Sequence, residues 1–187
     1  MQGYFAIITI ICLMAMVISR ILILKRQGIK AMQFGEMDKK DFLIPPFALL
    51  FFYLIMAHAF HLPKLGSILF ESWLMSWIGV AICIAGLIIF LSSIISFGES
   101  FRVGLDEQHP GKLVTTGIFV YSRNPIYAAF GFILIGIFLI FPNWIFLIYI
   151  VLGFLVFNRQ VLLEESSLKK QYGEEYTEYC QNVRRYF

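Results

Sequence analysis

Hydrophobic and polar positions alternate along this chain on a long scale: apolar runs at 4–24, 42–62, 73–95, 126–141 and 144–157 are separated by polar stretches of unequal length. The first three runs match the roughly 20 helical residues that a hydrocarbon core requires. The last two are shorter, so they have to tilt little, thin the bilayer or lean on their neighbours. All six prolines (Pro45, Pro46, Pro63, Pro110, Pro125 and Pro142) fall at or beside the ends of runs. Proline fits the first turn of a helix and breaks its interior, so these positions read as boundaries. The pattern predicts an all-α integral membrane protein with about five transmembrane helices, organised as a single domain over 1–187.

Composition sharpens this reading. The chain is 59% hydrophobic and 14% charged, whereas a soluble domain carries about a quarter charged residues. Of the 15 Lys and Arg, Lys64 alone falls in the segments 63–72 and 142–143. The rest lie at Arg20, near the end of the first run, or in 25–41, 96–125 and 158–187. Basic residues collect on the cytoplasmic side, which puts the N-terminus outside and the C-terminus in the cytoplasm. The first run has no basic region before it and three cations after it, Arg20, Lys25 and Arg26, so it reads as a retained helix rather than a cleaved signal. No Asp or Glu interrupts any run, which argues against an ion pump or proton-coupled transporter. The net charge of +3 gives no reason to expect a nucleic-acid partner. Cys12, Cys83 and Cys180 are odd in number and far apart, so they suggest neither disulfides nor a metal site.

Two polar stretches on the cytoplasmic side, 96–125 and 159–187, exceed what a turn or a basic flank needs. Pro142-Asn143 is a tight turn between the fourth and fifth helices, which makes them an antiparallel hairpin. Arg123 lies 19 residues before Pro142 and Glu164 lies 21 after Asn143. At 1.5 Å per residue both climb about 30 Å, so they reach similar heights beside the cytoplasmic face. No Gly or Pro occurs between Phe154 and Tyr172, so the fifth helix continues out of the bilayer and ends near Gly173. A pocket is expected between that protruding helix and 112–127. Arg123 and Pro125 open the fourth helix, where free amides and the helix dipole favour an anion. Arg123 offers a fork for a carboxylate. Glu164 and Glu165 offer acceptors, and adjacent helical positions diverge by about 100°, so one of the two is expected to face the pocket. Spacing alone also permits a plain alternative, in which Arg123 is a membrane-edge anchor and the Glu pair a solvated face.

The stretch Gly111-Lys-Leu-Val-Thr-Thr-Gly-Ile-Phe-Val-Tyr-Ser-Arg123-Asn-Pro-Ile-Tyr127, an apolar hairpin, Glu164-Glu165 and then Tyr172-Gly-Glu-Glu-Tyr176-Thr-Glu-Tyr179 together resemble the isoprenylcysteine carboxyl methyltransferase family. That family belongs to a wider group with the phospholipid methyltransferases. The resemblance covers 96–187, with 1–95 supplying three further transmembrane helices. It implies a membrane methyltransferase that uses S-adenosylmethionine without a Rossmann domain, in keeping with the absence of a G-x-G-x-x-G motif. It further implies a lipidic or prenylated carboxylate as acceptor. By position, Lys112, Leu113, Val114 and Gly117 would line the cofactor pocket, with Asn124 beside them. Arg123 and Tyr127 would sit near the reacting groups, and Glu164 or Glu165 would hold polar groups of the cofactor. The catalytic pair is then Arg123 and Glu164.

In one respect the chain departs from the family pattern. Asn124 stands where the family has His, so no imidazole is available there to titrate. Arg-Asn-Pro also occurs among prokaryotic relatives, which implies a prokaryotic plasma membrane and leaves the acceptor open. Phospholipid headgroup N-methylation is the alternative chemistry. A third possibility, from a different class, is a non-catalytic haem- or metal-binding membrane protein using His58 and His61, three apart on one helix face. Gly79 and Gly86 are expected to allow close helix packing, and Tyr172, Tyr176 and Tyr179 to pack the tail back on the membrane surface or the pocket.

Overall fold

The computed structural model describes residues 2–26, 44–60, 62–63, 65–98 and 113–187; His61, Lys64, His109 and Lys112 lie outside them. Five α-helices follow in order: α1 Gln2–Arg26, α2 Ile44–Ala59, α3 Trp73–Phe97, α4 Pro125–Ile140 and α5 Trp144–Asn182, with a short 3-10 turn at Gly117–Val120 before α4. Among the described residues the only extended pairing is an isolated bridge, Ile68 with Asn143. Among the described residues the five apolar runs therefore become five helices, with ends within a few residues of the predicted limits except at the C-terminal end of α5. Three of them, α1, α3 and α5, are long and apolar enough to cross a membrane. Their outward faces carry Ile11, Ile18, Ile88, Phe154 and Leu155, all exposed. Such a display is a lipid-facing surface rather than a solvated one.

The short α4 is the central helix. At 16 residues it spans about 24 Å, and it leans on α3 along nearly its whole length. Small residues make that possible. A Cβ added at Gly136 would lie 2.6 Å from Cys83 Sγ and 2.7 Å from the Gly79 carbonyl. One at Gly86 would meet Ile133 at 2.9 Å. The two backbones are thus in direct contact through a seam of glycines, where packing drives association in a medium with little hydrophobic effect. Gly79 and Gly86 play the expected part, and Gly136 completes it from the other helix. Around this seam Ala6, Ile10, Leu54, Ile55, Val80, Phe146 and Tyr149 form the core.

The α4–α5 turn is built by Asn143. Its Oδ1 accepts from the Ile145 amide at 2.8 Å and its Nδ2 donates to the Leu65 carbonyl at 2.8 Å. The first bond caps α5, a contribution of about 1 kcal/mol; the second ties the hairpin to the loop after α2. His58, on α2, uses Nδ1 on the Leu54 carbonyl at 2.9 Å and packs between Phe141 and Phe146.

The end of α5 differs from expectation. Helix does stop at Gly173, whose φ of 55° and ψ of −118° are not helical, but it restarts at once and runs to Asn182. Glu174 and Glu175 explain the restart. Acidic residues in a first turn complement the positive end of the dipole of a new helix, and the Thr177 hydroxyl donates to the Gly173 carbonyl at 3.0 Å. The kink turns the last nine helical residues and the tail back toward the start of α4.

Candidate active site at the opening of helix α4

The site begins where α3 ends. Gly98 caps α3 with φ 50°, and its carbonyl accepts a hydrogen bond from Arg20 of α1. The Ser96 hydroxyl accepts from the Ile118 amide at 3.2 Å. Phe97 meets Phe119 edge-on, with centroids 4.5 Å apart. These contacts seat the 3-10 turn on the end of α3. Gly117 is required there: its φ is 64°, and a Cβ would collide with Ser96. The residue expected to line a cofactor pocket thus has a structural reason of its own. Leu113 and Val114 lead into this turn and are half-buried.

From the turn the chain passes through Ser122, Arg123 and Asn124 into α4, with Pro125 in its first turn. Here α5 arrives from the other arm of the hairpin. Asn124 Nδ2 donates to Glu165 Oε1 at 3.2 Å, and the Tyr127 hydroxyl donates to Glu164 Oε1 at 2.5 Å. The climb counted from the hairpin turn therefore brings the two polar stretches to one height. It does not pair Arg123 with Glu164. Arg123 reaches Glu165 Oε1 at 3.3 Å, with both side chains nearly nine-tenths buried.

The two carboxylates face different neighbours. Glu164 accepts from Tyr127 and, at 3.2 Å, from Gln160 one turn earlier. Both bonds go to Oε1, leaving Oε2 for another donor. Glu164 lies beyond the apolar part of α5, and burial pushes its pKa above the usual carboxylate range, against the lowering effect of the Tyr127 and Gln160 hydrogen bonds. Glu165 is enclosed by donors. Besides Arg123 and Asn124, Arg185 grips it with Nε at 3.2 and 3.1 Å and a terminal nitrogen at 2.8 Å.

Arg185 comes from the tail that the Gly173 kink returns. The tail is held by its backbone: the Arg123 amide donates to the Arg184 carbonyl at 2.9 Å, while the Ser122 hydroxyl and Asn124 Nδ2 both donate to the Arg185 carbonyl at 3.3 Å. Tyr176 is buried, and the Tyr179 hydroxyl donates to the Phe119 carbonyl at 2.6 Å. These two tyrosines hold the returning helix against the pocket, one of the two placements expected for Tyr172, Tyr176 and Tyr179. A cleft of about 430 Å³ opens between the kinked helix and the start of α4, lined among others by Arg123, Glu165, Lys169, Tyr176, Cys180 and Arg185.

Arg185, Ser122 and Gln160 escaped sequence reasoning. Gln160 left a signal, since it lies four residues from Glu164 on one helix face. Arg185 left none, because its place depends on the direction of the Gly173 kink.

Known proteins resemble this chain in sequence and in structure. A family model described as phospholipid methyltransferase matches residues 74–175. A probable protein-S-isoprenylcysteine O-methyltransferase of Oryza sativa subsp. indica is 29% identical over 118 residues, 60% of this chain and 61% of the relative. Protein-S-isoprenylcysteine O-methyltransferase B of Arabidopsis thaliana is 32% identical over 60% of this chain and 59% of its own. That of Tribolium castaneum is 30% identical over 59% and 40%. The chain thus spans about three fifths or less of the length of these relatives. In structure it resembles a eukaryotic intramembrane Ras methyltransferase, isoprenylcysteine carboxyl methyltransferase, with a TM-score of 0.63 and 22% identity over 88% of this chain and 58% of that one. Apolar helices and this membrane-embedded neighbour identify a multi-pass membrane protein. Since the family model covers more than half of the chain, the chain belongs to the phospholipid methyltransferase family.

Proposed function

We propose that this protein is an S-adenosylmethionine-dependent methyltransferase that works at the cytoplasmic face of its membrane on the carboxylate of a lipidic, prenylated acceptor. The observation that carries the reading is the meeting of Arg123-Asn124 at the opening of α4 with Glu164-Glu165 on α5, two pairs drawn from distant parts of the chain. The Lys and Arg asymmetry supports the cytoplasmic orientation, and the curated relatives are named for isoprenylcysteine O-methylation.

The chain's own residues suit the cofactor. A cleft of about 430 Å³ falls within the range of small-molecule sites. Glu164 Oε2 is available for an amino or hydroxyl group, and Arg123 Nε is buried without a hydrogen-bond partner, which leaves it capacity for an anion. Glu164, Tyr127 and Asn124, beside the cleft rather than in its wall, would hold polar parts of the cofactor, with Leu113, Val114 and Gly117 on the apolar side. When bound, S-adenosylmethionine supplies a methyl group already activated on a sulfonium. Arg123 then aligns the acceptor carboxylate without needing to remove a proton. The returning helix, with Tyr176 in the wall of the cleft, closes one side of it. Were the acceptor an ammonium headgroup, Glu164, with its raised pKa, would be the residue to take the proton.

The test uses purified protein in lipid nanodiscs, labelled methyl donor and membrane lipid extract. Base-labile methyl esters are the expected product, and label in lipid amines would move the reading to phospholipid N-methylation. Arg123→Ala is expected to cut turnover about 100-fold, since aligning interactions contribute on that scale, while donor binding measured by calorimetry stays within a few-fold. Glu164→Gln is expected to weaken donor binding. Full donor affinity and turnover in both variants would remove the assignment.

A further inference from the structure

Arg185 is held by a contact that a membrane-edge anchor would not need. Its Nε donates to Glu165 Oε1 at 3.2 Å and to Oε2 at 3.1 Å, and a terminal nitrogen donates to Oε2 at 2.8 Å, while its own side chain stays 41% exposed. Arg123 is the more deeply buried cation, yet it has the weaker share of that carboxylate. It makes one contact to Glu165 at 3.3 Å and one to the Cys180 carbonyl at 3.4 Å, and its Nε has no partner. An arginine alone with a buried carboxylate settles into a two-point fork, because charge-assisted bidentate pairs are the stronger geometry. Here the fork belongs to Arg185. The two arginines and Glu165 together carry one net positive charge at the wall of the cleft.

We propose that Arg185 is a positioning residue: by holding Glu165 in a bidentate grip and neutralising it, Arg185 keeps Arg123 from closing onto that carboxylate and leaves the Arg123 guanidinium for an anionic acceptor. This rests on the reading of Arg123 as the residue that aligns a carboxylate. Without Arg185, Glu165 has Arg123 as its remaining cation. The acceptor must then displace an internal ion pair and approach a wall with one positive charge fewer. The consequence falls on acceptor binding rather than on the bond-making step.

The experiment compares wild type, R185A, R185Q, R185K, E165Q and the double variant E165Q/R185A, with N-acetyl-S-farnesylcysteine as carboxylate probe and its methyl ester as uncharged control. Two readouts are taken: KM and kcat with S-adenosylmethionine, and the thermal shift given by acid and by ester without any methyl donor. R185A and R185Q are expected to raise KM for the acid about tenfold with kcat nearly unchanged, the size of one lost charge-assisted contact, and to lose the larger shift given by the acid. R185K keeps the charge but not the fork and is expected to lie between. In the E165Q background the loss of Arg185 is expected to have little further effect, because no carboxylate remains to capture Arg123. An unchanged KM in R185A, or the same rise in KM with and without Glu165, would overturn the inference, the second by showing that Arg185 touches the acceptor itself or only holds the tail. Wild-type protein that binds the donor but neither methylates nor is stabilised by the acid probe would instead remove the parent reading.

Discussion

Glu164 and Glu165 show how far a single residue's surroundings decide its chemistry. Both are carboxylates on one helix, 100° apart around its axis. Glu165 is gripped by Arg185, Arg123 and Asn124. Among the described residues Glu164 has only neutral partners, Tyr127 and Gln160, and burial raises its pKa. A group that binds its proton more tightly folded than unfolded makes stability fall as pH rises, from the ordinary carboxylate value up through the raised one. Glu164→Gln keeps an acceptor for the Tyr127 hydroxyl and removes the titration. Its melting temperature in detergent is therefore expected to be flatter across that interval and no lower than wild type at neutral pH. Parallel pH profiles for the two proteins would reject this account of Glu164.

At the scale of elements, two glycine positions govern how the helices meet. Gly136 sits where α3 and α4 touch, with 2.7 Å between a built Cβ and the Gly79 carbonyl. Gly136→Leu forces those backbones apart and is expected to destabilise the protein by about 1–3 kcal/mol, the usual cost of overpacking, read as loss of monodisperse protein on heating. Gly173 acts differently. Nothing crowds it, but its φ of 55° and ψ of −118° suit glycine alone. Gly173→Ala is expected to leave membrane insertion and the α1–α4 bundle intact while loosening the returning helix. Measured acceptor and donor affinities should then fall together, with increased proteolysis after residue 173. The helix length, the hairpin turn and the glycine seam were largely legible from apolar run length, Pro142-Asn143 and Gly79-Gly86. The restart of helix after Gly173 was not, because a helix-terminating glycine is equally compatible with a free tail and with a kink.

The whole molecule is a bundle with one functional end. Basic residues gather at that end, and the hairpin delivers both halves of the site to it. On the proposed orientation, a cysteine at Ser67, exposed in the loop after α2, is expected to react with an impermeant maleimide added to intact cells in a background lacking Cys12, Cys83 and Cys180. A cysteine at Glu174, exposed after the kink, should react only once the membrane is opened. The opposite labelling would invert the orientation and move the cleft to the other face.

By itself the sequence determined what depends on local composition and on counting: helical runs long enough for a bilayer, their boundaries, the side on which charge accumulates, and the shared height of the Arg123 and Glu164 regions. Each follows from a rise of 1.5 Å per residue or from the cost of burying charge in hydrocarbon, so no knowledge of distant neighbours is needed. Tertiary structure decided the pairing: that Arg123 meets Glu165 while Glu164 turns to Tyr127, and that Arg185 closes the network from the far end of the chain. Those contacts depend on the rotation of α5 about its axis and on the backbone direction at Gly173. Both are set by packing against other helices, which is information that no stretch of the chain carries alone.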